Sequence, residues 1–226
     1  MTREERIHSA LESYKGNIFS IEQFLKRIYN FFLDHPELNE GPLPIIHSLK
    51  YRLKSEEHLI EKINRKWEMY EGIDSNNIFD VITDIAGVRI LHLYQAQFPK
   101  IHREILNQID EKEWYFFEPP KAYTWDPESK AFYQGLNINC EVKDTFYTSI
   151  HYIVKPRENS PIKCEIQVRT LFEEIWGEID HFLNYPNQTQ SIACREQLRV
   201  LAKLSSTGTR LADSIFLSHE EYKKSR

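Results

Sequence analysis

The stretch KCEIQVRTLFEEIWGEIDH, residues 163–181, begins with alternation: Glu165, Gln167 and Arg169 share one side, Cys164, Ile166 and Val168 the other. Upstream, KDTFYTSIHYIV sets Tyr147, Ser149 and His151 on one face of a second strand. The short turn PRENSP between them favours pairing, which would gather a tyrosine, a histidine, a carboxylate and an arginine on one surface. An aromatic ring can stack a base, a carboxylate can bind metal or accept a proton, and cations neutralise phosphate. A hairpin with its polar side in water shows the same alternation, so these residues alone leave both readings open.

Two further segments carry charge in patterns suited to phosphate. KYRLKSEEHLIEKINRK, residues 50–66, holds six basic side chains (Lys50, Arg52, Lys54, Lys62, Arg65, Lys66) against three acids. On a helix His58 and Lys62 face the same way, as do Lys62 and Lys66. Arginine offers planar bidentate contact or base stacking, and lysine a point charge. A solvated helix face is the simpler account of this segment by itself. In TDIAGVRI, residues 83–90, Asp84 immediately precedes a strand, where it could project from the sheet's edge into a cleft. Mg²⁺ takes one or two carboxylates and fills its other positions with phosphate oxygens and water. An aspartate capping a turn is the common alternative.

The elements that must position these groups follow from periodicity. Apolar residues from Glu4 to about Leu33 recur at helical spacing. A connection, DHPELNEGPLP, leads to a second helix expected over 45–70. DSNNIFD reads as a turn into a short helix, GVRILHLY as a strand, and 96–110 as a helix packed on it. Residues 115–139, rich in aromatics and proline, read as an irregular excursion with one short strand. The strands YTSIHYIV and IKCEIQV follow, then helices over 171–183 and 191–216 and a polar tail. Strands alternating with helices, flanked by helices at both ends, indicate an α/β or α+β domain.

Composition narrows the function classes. With 226 residues, 41% of them hydrophobic, the chain can bury a sizeable core as one domain with helical extensions. Seven glycines form no phosphate-binding loop of the Walker or dinucleotide type, so side chains would have to handle phosphates. A net charge of −5 argues against a protein that coats nucleic acid. Cys140, Cys164 and Cys194 are widely spaced and odd in number, fitting neither a disulfide framework nor a zinc site. Without an apolar signal core or a membrane-length run, the expected location is the cytoplasm.

Taken in order, RLKSEEHLIEK, DIAGVRI, YTSIH, EIQVRT and IWGEIDH, spanning residues 52–181, resemble the synthetase domain of the RelA/SpoT family, in its small, single-domain form. The resemblance implies an α+β, nucleotidyltransferase-like mixed sheet flanked by helices. It divides the chain into an N-terminal helical extension (1–42), the core (43–184) and a C-terminal helical extension (185–226). It implies transfer of the β,γ-pyrophosphate of ATP to the 3′-hydroxyl of GDP or GTP, with Mg²⁺ as cofactor. Carried over by motif, Asp84 and Glu165 match the metal-associated acids, and Glu165 also the group that activates the hydroxyl. Arg52 and Arg89 match arginines that sandwich adenine, while Lys54 and Lys62, with His58 in the same motif, match the side facing the ATP phosphates. Tyr147 matches the tyrosine stacking on guanine, Lys143 a lysine on the acceptor's phosphates, and His151 the histidine near the same site. Gln167 and Arg169 complete the acceptor-side strand. Trp176, Glu178 and His181 read as braces rather than substrate contacts.

Two positions depart from the family pattern. Phe146 stands where glycine usually precedes the stacking tyrosine, a bulk that bears on how closely an acceptor base approaches. His58 replaces a common serine. Other acceptors therefore stay open, an adenine nucleotide or the 3′ end of tRNA, the latter served by Arg195, Arg199, Lys203 and the EYKKSR tail. A non-catalytic nucleotide sensor is a third reading, against which the joint presence of Asp84, Glu165 and Tyr147 weighs. Leu198, Leu201, Leu204, Leu211 and Ile215 suit either a homo-oligomer interface or packing of the C-terminal helix on its own domain.

Overall fold

The computed structural model describes residues 1–143, 145–185 and 187–226. Helix α1 (Arg3–Asp34) starts at a capping box: the Glu5 N–H donates to the Thr2 hydroxyl and the Thr2 N–H to the Glu5 carboxylate. Its apolar stripe, from Ala10 through Ile21 and Leu25 to Phe32, is buried. After the single turn α2 (Pro36–Asn39) the chain forms strand β1 (Ser48–Leu53), not the first half of the helix expected over 45–70. The alternation of Leu49, Tyr51 and Leu53 with Lys50 and Arg52 lets this segment pair with a neighbouring strand, a tertiary outcome that overrides local helical spacing. Helix α3 (Glu56–Lys66) begins only at Ser55, whose hydroxyl accepts from the His58 N–H.

The single turn α4 (Ile78–Val81), strand β2 (Ala86–His92) and helix α5 (Phe98–Asp110) follow as expected. The segment read as irregular instead holds the nine-residue strand β3 (Tyr115–Tyr123), helix α6 (Pro127–Gly135) and the short strand β4 (Asn139–Glu141). Two prolines survive in β3 because its pairing shifts register between Glu118 and Lys121, where Pro119 and Pro120 lie. Strands β5 (Ser149–Lys155) and β6 (Cys164–Thr170) form the expected antiparallel hairpin. Helix α7 (Leu171–Asn184) starts at a Thr170–Glu173 capping box. Helix α8 (Ile192–Lys224) carries the polar tail as continued helix.

The six strands form one mixed sheet in the order β1-β2-β6-β5-β3-β4, with β2–β6 and β3–β4 parallel and the other pairs antiparallel. Register sorts the two faces. Val88, Ile166 and Tyr152 align across the central strands, as do Ile90, Val168 and Ile150, and all six are buried in one core with α1 and α5. The opposite face aligns Lys50 with Arg89, Arg89 with Gln167, and Gln167 with His151. Helix α7 stands at the edge of this second face and α8 packs on α7, where Trp176 Nε1 donates to the Leu198 carbonyl. No helix among the described residues is long and apolar enough to cross a membrane.

Candidate functional site

The second face is polar, and two of its charges are buried. Glu165 and Arg169 are 8% and 5% exposed, so each needs charged or hydrogen-bonding partners. Glu165 Oε1 lies 2.9 Å from His151 Nδ1, and its Oε2 accepts from Gln167 Nε2 at 2.6 Å. His151 Nε2 is 2.9 Å from the Tyr147 hydroxyl, to which Arg169 Nη2 donates. One tautomer satisfies the whole chain: His151 Nδ1–H donates to Glu165 and Nε2 accepts from Tyr147. Burial would raise the Glu165 carboxyl, but His151 and the Gln167 amide hold it below its ordinary value. Tyr147 itself precedes β5 rather than lying in it, and the Arg169 guanidinium covers its ring at 4.7 Å.

A second cluster surrounds Asp84, just ahead of β2. Its Oδ2 lies 2.6 Å from Lys62 Nζ on α3, 3.4 Å from Lys54 Nζ and 3.8 Å from the Arg52 guanidinium. Burial alone would raise this carboxyl; Lys62 and Lys54, with Arg52, instead pull it down to about 2. The two clusters adjoin, because Arg52, which reaches Asp84, is in register with Gly87, and Gly87 with Glu165 on the next strand. Asp84 Oδ1 is buried without a hydrogen-bond partner. Among the described residues no three acidic, histidine or cysteine side chains cluster as a protein-only metal cage. An orphaned carboxylate oxygen near a second carboxylate is the donor set of a hard cation that draws its other ligands from phosphate and water.

Between the sheet and α7 opens a cleft of about 540 Å³. Arg52, Arg89, Tyr147, Glu165, Gln167 and Arg169 line its sheet side. Arg89 Nη1 reaches Glu174 at 2.8 Å and Glu178 at 2.9 Å, while its Nε donates to Gln167 Oε1 at 3.3 Å. Of the three residues read as braces, Trp176 is one, but Glu178 and His181 line the cleft. So do Gly177, Asp180, Asn184 and Tyr185, with His181 and Tyr185 stacked at 4.7 Å. The helical recurrence 177, 178, 181, 184, 185 was the available signal for that wall.

Asp84, Lys54, Lys62 and His151 adjoin the cleft through the two clusters without lining it, and His58, Lys143 and Phe146 belong to neither the lining nor the clusters. His58 is exposed and its Nδ1 sits 3.1 Å from Ser55 Oγ at the start of α3. Lys143 pairs with Glu141 and holds its ammonium 4.6 Å over the Tyr123 ring, which in turn meets His151 edge-on at 4.9 Å. Phe146 adopts φ +62°, the left-handed region that a glycine enters freely and a bulky residue rarely does. Its ring turns away from the cleft, packing 5.1 Å from Trp125 in a small recess beside Trp176, Ser205 and Ser206. The bulk of Phe146 is thus directed into this recess, while its backbone keeps the turn before Tyr147.

Comparison with known proteins places these features in a family. A model described as a region found in RelA / SpoT proteins matches residues 51–190. GTP pyrophosphokinase YwaC of Bacillus subtilis (strain 168) is 24% identical over 188 residues, 82% of this chain and 81% of that protein. Small alarmone synthetase 1 from Bacillus subtilis superimposes with a TM-score of 0.68 at 20% identity, covering 93% of this chain and 99% of that one. The same synthetase bound to its product pppGpp gives 0.68 at 19% identity, covering 92% and 99%. At such identity the structural likeness establishes the fold.

Proposed function

The chain belongs to the RelA/SpoT family, and on that premise we propose that it transfers the β,γ-pyrophosphate of ATP to the 3′-hydroxyl of GDP or GTP, making (p)ppGpp and AMP. The observation that carries this reading is the buried chain Glu165–His151–Tyr147–Arg169 opening onto a cleft beside Asp84. Arg52 and Arg89, on neighbouring strands in the cleft, would hold the adenine; Lys54 and Lys62 would face the donor phosphates, with His58 at the rim of that motif. Tyr147 presents a ring for the acceptor base, and Lys143, His151, Gln167 and Arg169 flank it. The acceptor's 3′-oxygen attacks the β-phosphorus, the bond between the α–β bridging oxygen and that phosphorus breaks, and AMP leaves. Glu165, ionised at neutral pH and fixed by His151 and Gln167, takes the hydroxyl proton.

Asp84 and Glu165 are the residues that would hold Mg²⁺. Bound there, the ion would neutralise the charge developing on the transferred phosphates. The rest is positioning, which is most of what phosphoryl-type transfer asks of a protein. A second copy of the chain is the occupant this reading gives to the apolar row Val200, Leu204, Leu211 and Ile215 exposed along α8. That row is one stripe along a single helix, and a two-fold contact would set it against the same stripe of the other copy. Sedimentation of a Leu204→Glu, Leu211→Glu variant as the same species as wild type would remove it.

The deciding assay supplies γ-labelled ATP with GDP, GTP, AMP or deacylated tRNA. Label is expected in a guanosine nucleotide, with AMP formed in equal amount. Label confined to RNA or to an adenine nucleotide would replace this acceptor with another, and no transfer to any of them would leave a nucleotide sensor. Tyr147→Ala is expected to lose guanosine acceptor use while retaining ATP binding.

A further inference from the structure

One buried carboxylate behind the cleft, bound to three residues that line it, takes no part in the transfer just described. Glu174, on the first turn of α7, is 5% exposed, and its two oxygens are divided between two sets of cations. Oε1 accepts from Lys50 Nζ at 2.9 Å and Arg89 Nη1 at 2.8 Å. Oε2 accepts from Arg169 Nη1 at 3.4 Å. The three cations come from three different strands, β1, β2 and β6, so a single side chain ties the sheet's edge to its centre. We infer that Glu174 is a positioning residue that registers the donor half of the cleft against the acceptor half, Oε1 fixing Arg89 and Oε2 fixing Arg169 and through it Tyr147. The inference rests on the functional reading above, which sets Arg89 beside the donor base and Tyr147 beside the acceptor base.

The acceptor arm is the more constrained. Arg169 covers one face of the Tyr147 ring and donates to its hydroxyl, leaving the other face for a base. Helix α7 makes room for that guanidinium: a Cβ at Gly177, one turn beyond Glu174, would stand 2.8 Å from Arg169 Nη1. The helix thus offers a charge to hold the arginine and a gap to admit it. On the donor arm Arg89 has a second carboxylate, Glu178, whose side chain is 60% exposed and free to yield. Glu174 is not. Burial works to raise its carboxyl, but Lys50, Arg89 and Arg169 keep it below the ordinary range, a full negative charge at neutral pH. In-line transfer tolerates little misalignment of donor and acceptor, and a rigid link between their cations limits that misalignment.

The test compares Glu174→Gln with Gly177→Ala in the full chain. Steady-state kinetics are paired with calorimetric titration of a non-hydrolysable ATP analogue and of GDP, and thermal melts confirm folding. Glutamine keeps the shape but has one acceptor oxygen and no charge, so KM and Kd should rise for both nucleotides, by about tenfold as for other orienting partners, and kcat should fall. Gly177→Ala pushes on Arg169 alone and should raise the acceptor's KM and Kd with the ATP values unchanged. A folded Glu174→Gln protein with both sets of constants unchanged overturns the inference, as does Gly177→Ala shifting both nucleotides equally. Binding keeps the two proposals apart: wild type that binds both nucleotides but transfers no label counts against the transferase reading, while the titrations still decide the role of Glu174.

Discussion

The two faces of the central sheet share the same backbone, yet they differ in what holds them. Under α1 and α5, Ile90, Ile150, Ile166 and Val168 are within 0–2% of complete burial and need only close packing. On the side of α7, Glu165 and Arg169 are almost as inaccessible, but each is held by specific polar partners, Glu165 by His151 and Gln167, Arg169 through its two terminal nitrogens by Tyr147 and Glu174, with its Nε left unpartnered. Apolar burial is non-directional and tolerant of rearrangement. A buried charge network is directional, and deleting one member leaves another charge unpaired. The first face therefore sets whether the chain folds, the second what the folded chain does.

Substitutions can break or sharpen that division. The largest effect is expected from Glu165→Gln, which should lower turnover of the folded protein by about 10²–10⁴-fold; full activity would assign the base elsewhere. One residue along, on the opposite face, Ile166→Ala should cost about 2–5 kcal/mol of stability in denaturant titration while the folded fraction keeps its KM. A loss of acceptor binding larger than the loss of stability would show that the faces are not separate. At Phe146 the comparison narrows to backbone alone. Glycine relieves the left-handed conformation and alanine does not, so Phe146→Gly should be more stable than Phe146→Ala by about 1 kcal/mol.

The smallest effect is in pH dependence. Both acids have depressed values in the folded state, so their contribution to stability is complete above the unfolded value and lost as pH falls through the folded one. For Asp84 that window runs from 3.8 down to about 2. For Glu165 it begins at 4.5 and extends below. The acid limb of kcat/KM should accordingly lie under pH 4.5. A limb well above pH 4.5 would show that the group that must be ionised is not Glu165.

Much of the polar face could be read in the sequence because the β5–β6 hairpin has a short turn and strict alternation, which fix both register and side. The Asp84 cluster was legible as charge but not as geometry. Lys54 and Arg52 were expected on a helix, and only pairing of β1 with β2 shows that Arg52 approaches Asp84 from a strand and Lys54 from just beyond its end. The long strand β3 was hidden by its prolines, since a register shift that accommodates them depends on the partner strand. Glu174 gave no local sign, because its partners lie on β1, β2 and β6 and meet only when α7 folds over the sheet.

The position of β1 has a practical consequence. It is an outermost strand, paired on one side only, and Lys50, Tyr51 and Arg52 are all exposed along it. Cations on such a border discourage another molecule's strand from adding to it. Lys50 and Arg52 would then serve as substrate-side charges and as guards against self-association, and replacing both with apolar residues would invite precipitation. A preparation of that kind losing activity on storage would report on clumping as readily as on chemistry, so uncharged polar replacements are the cleaner choice for dissecting this border.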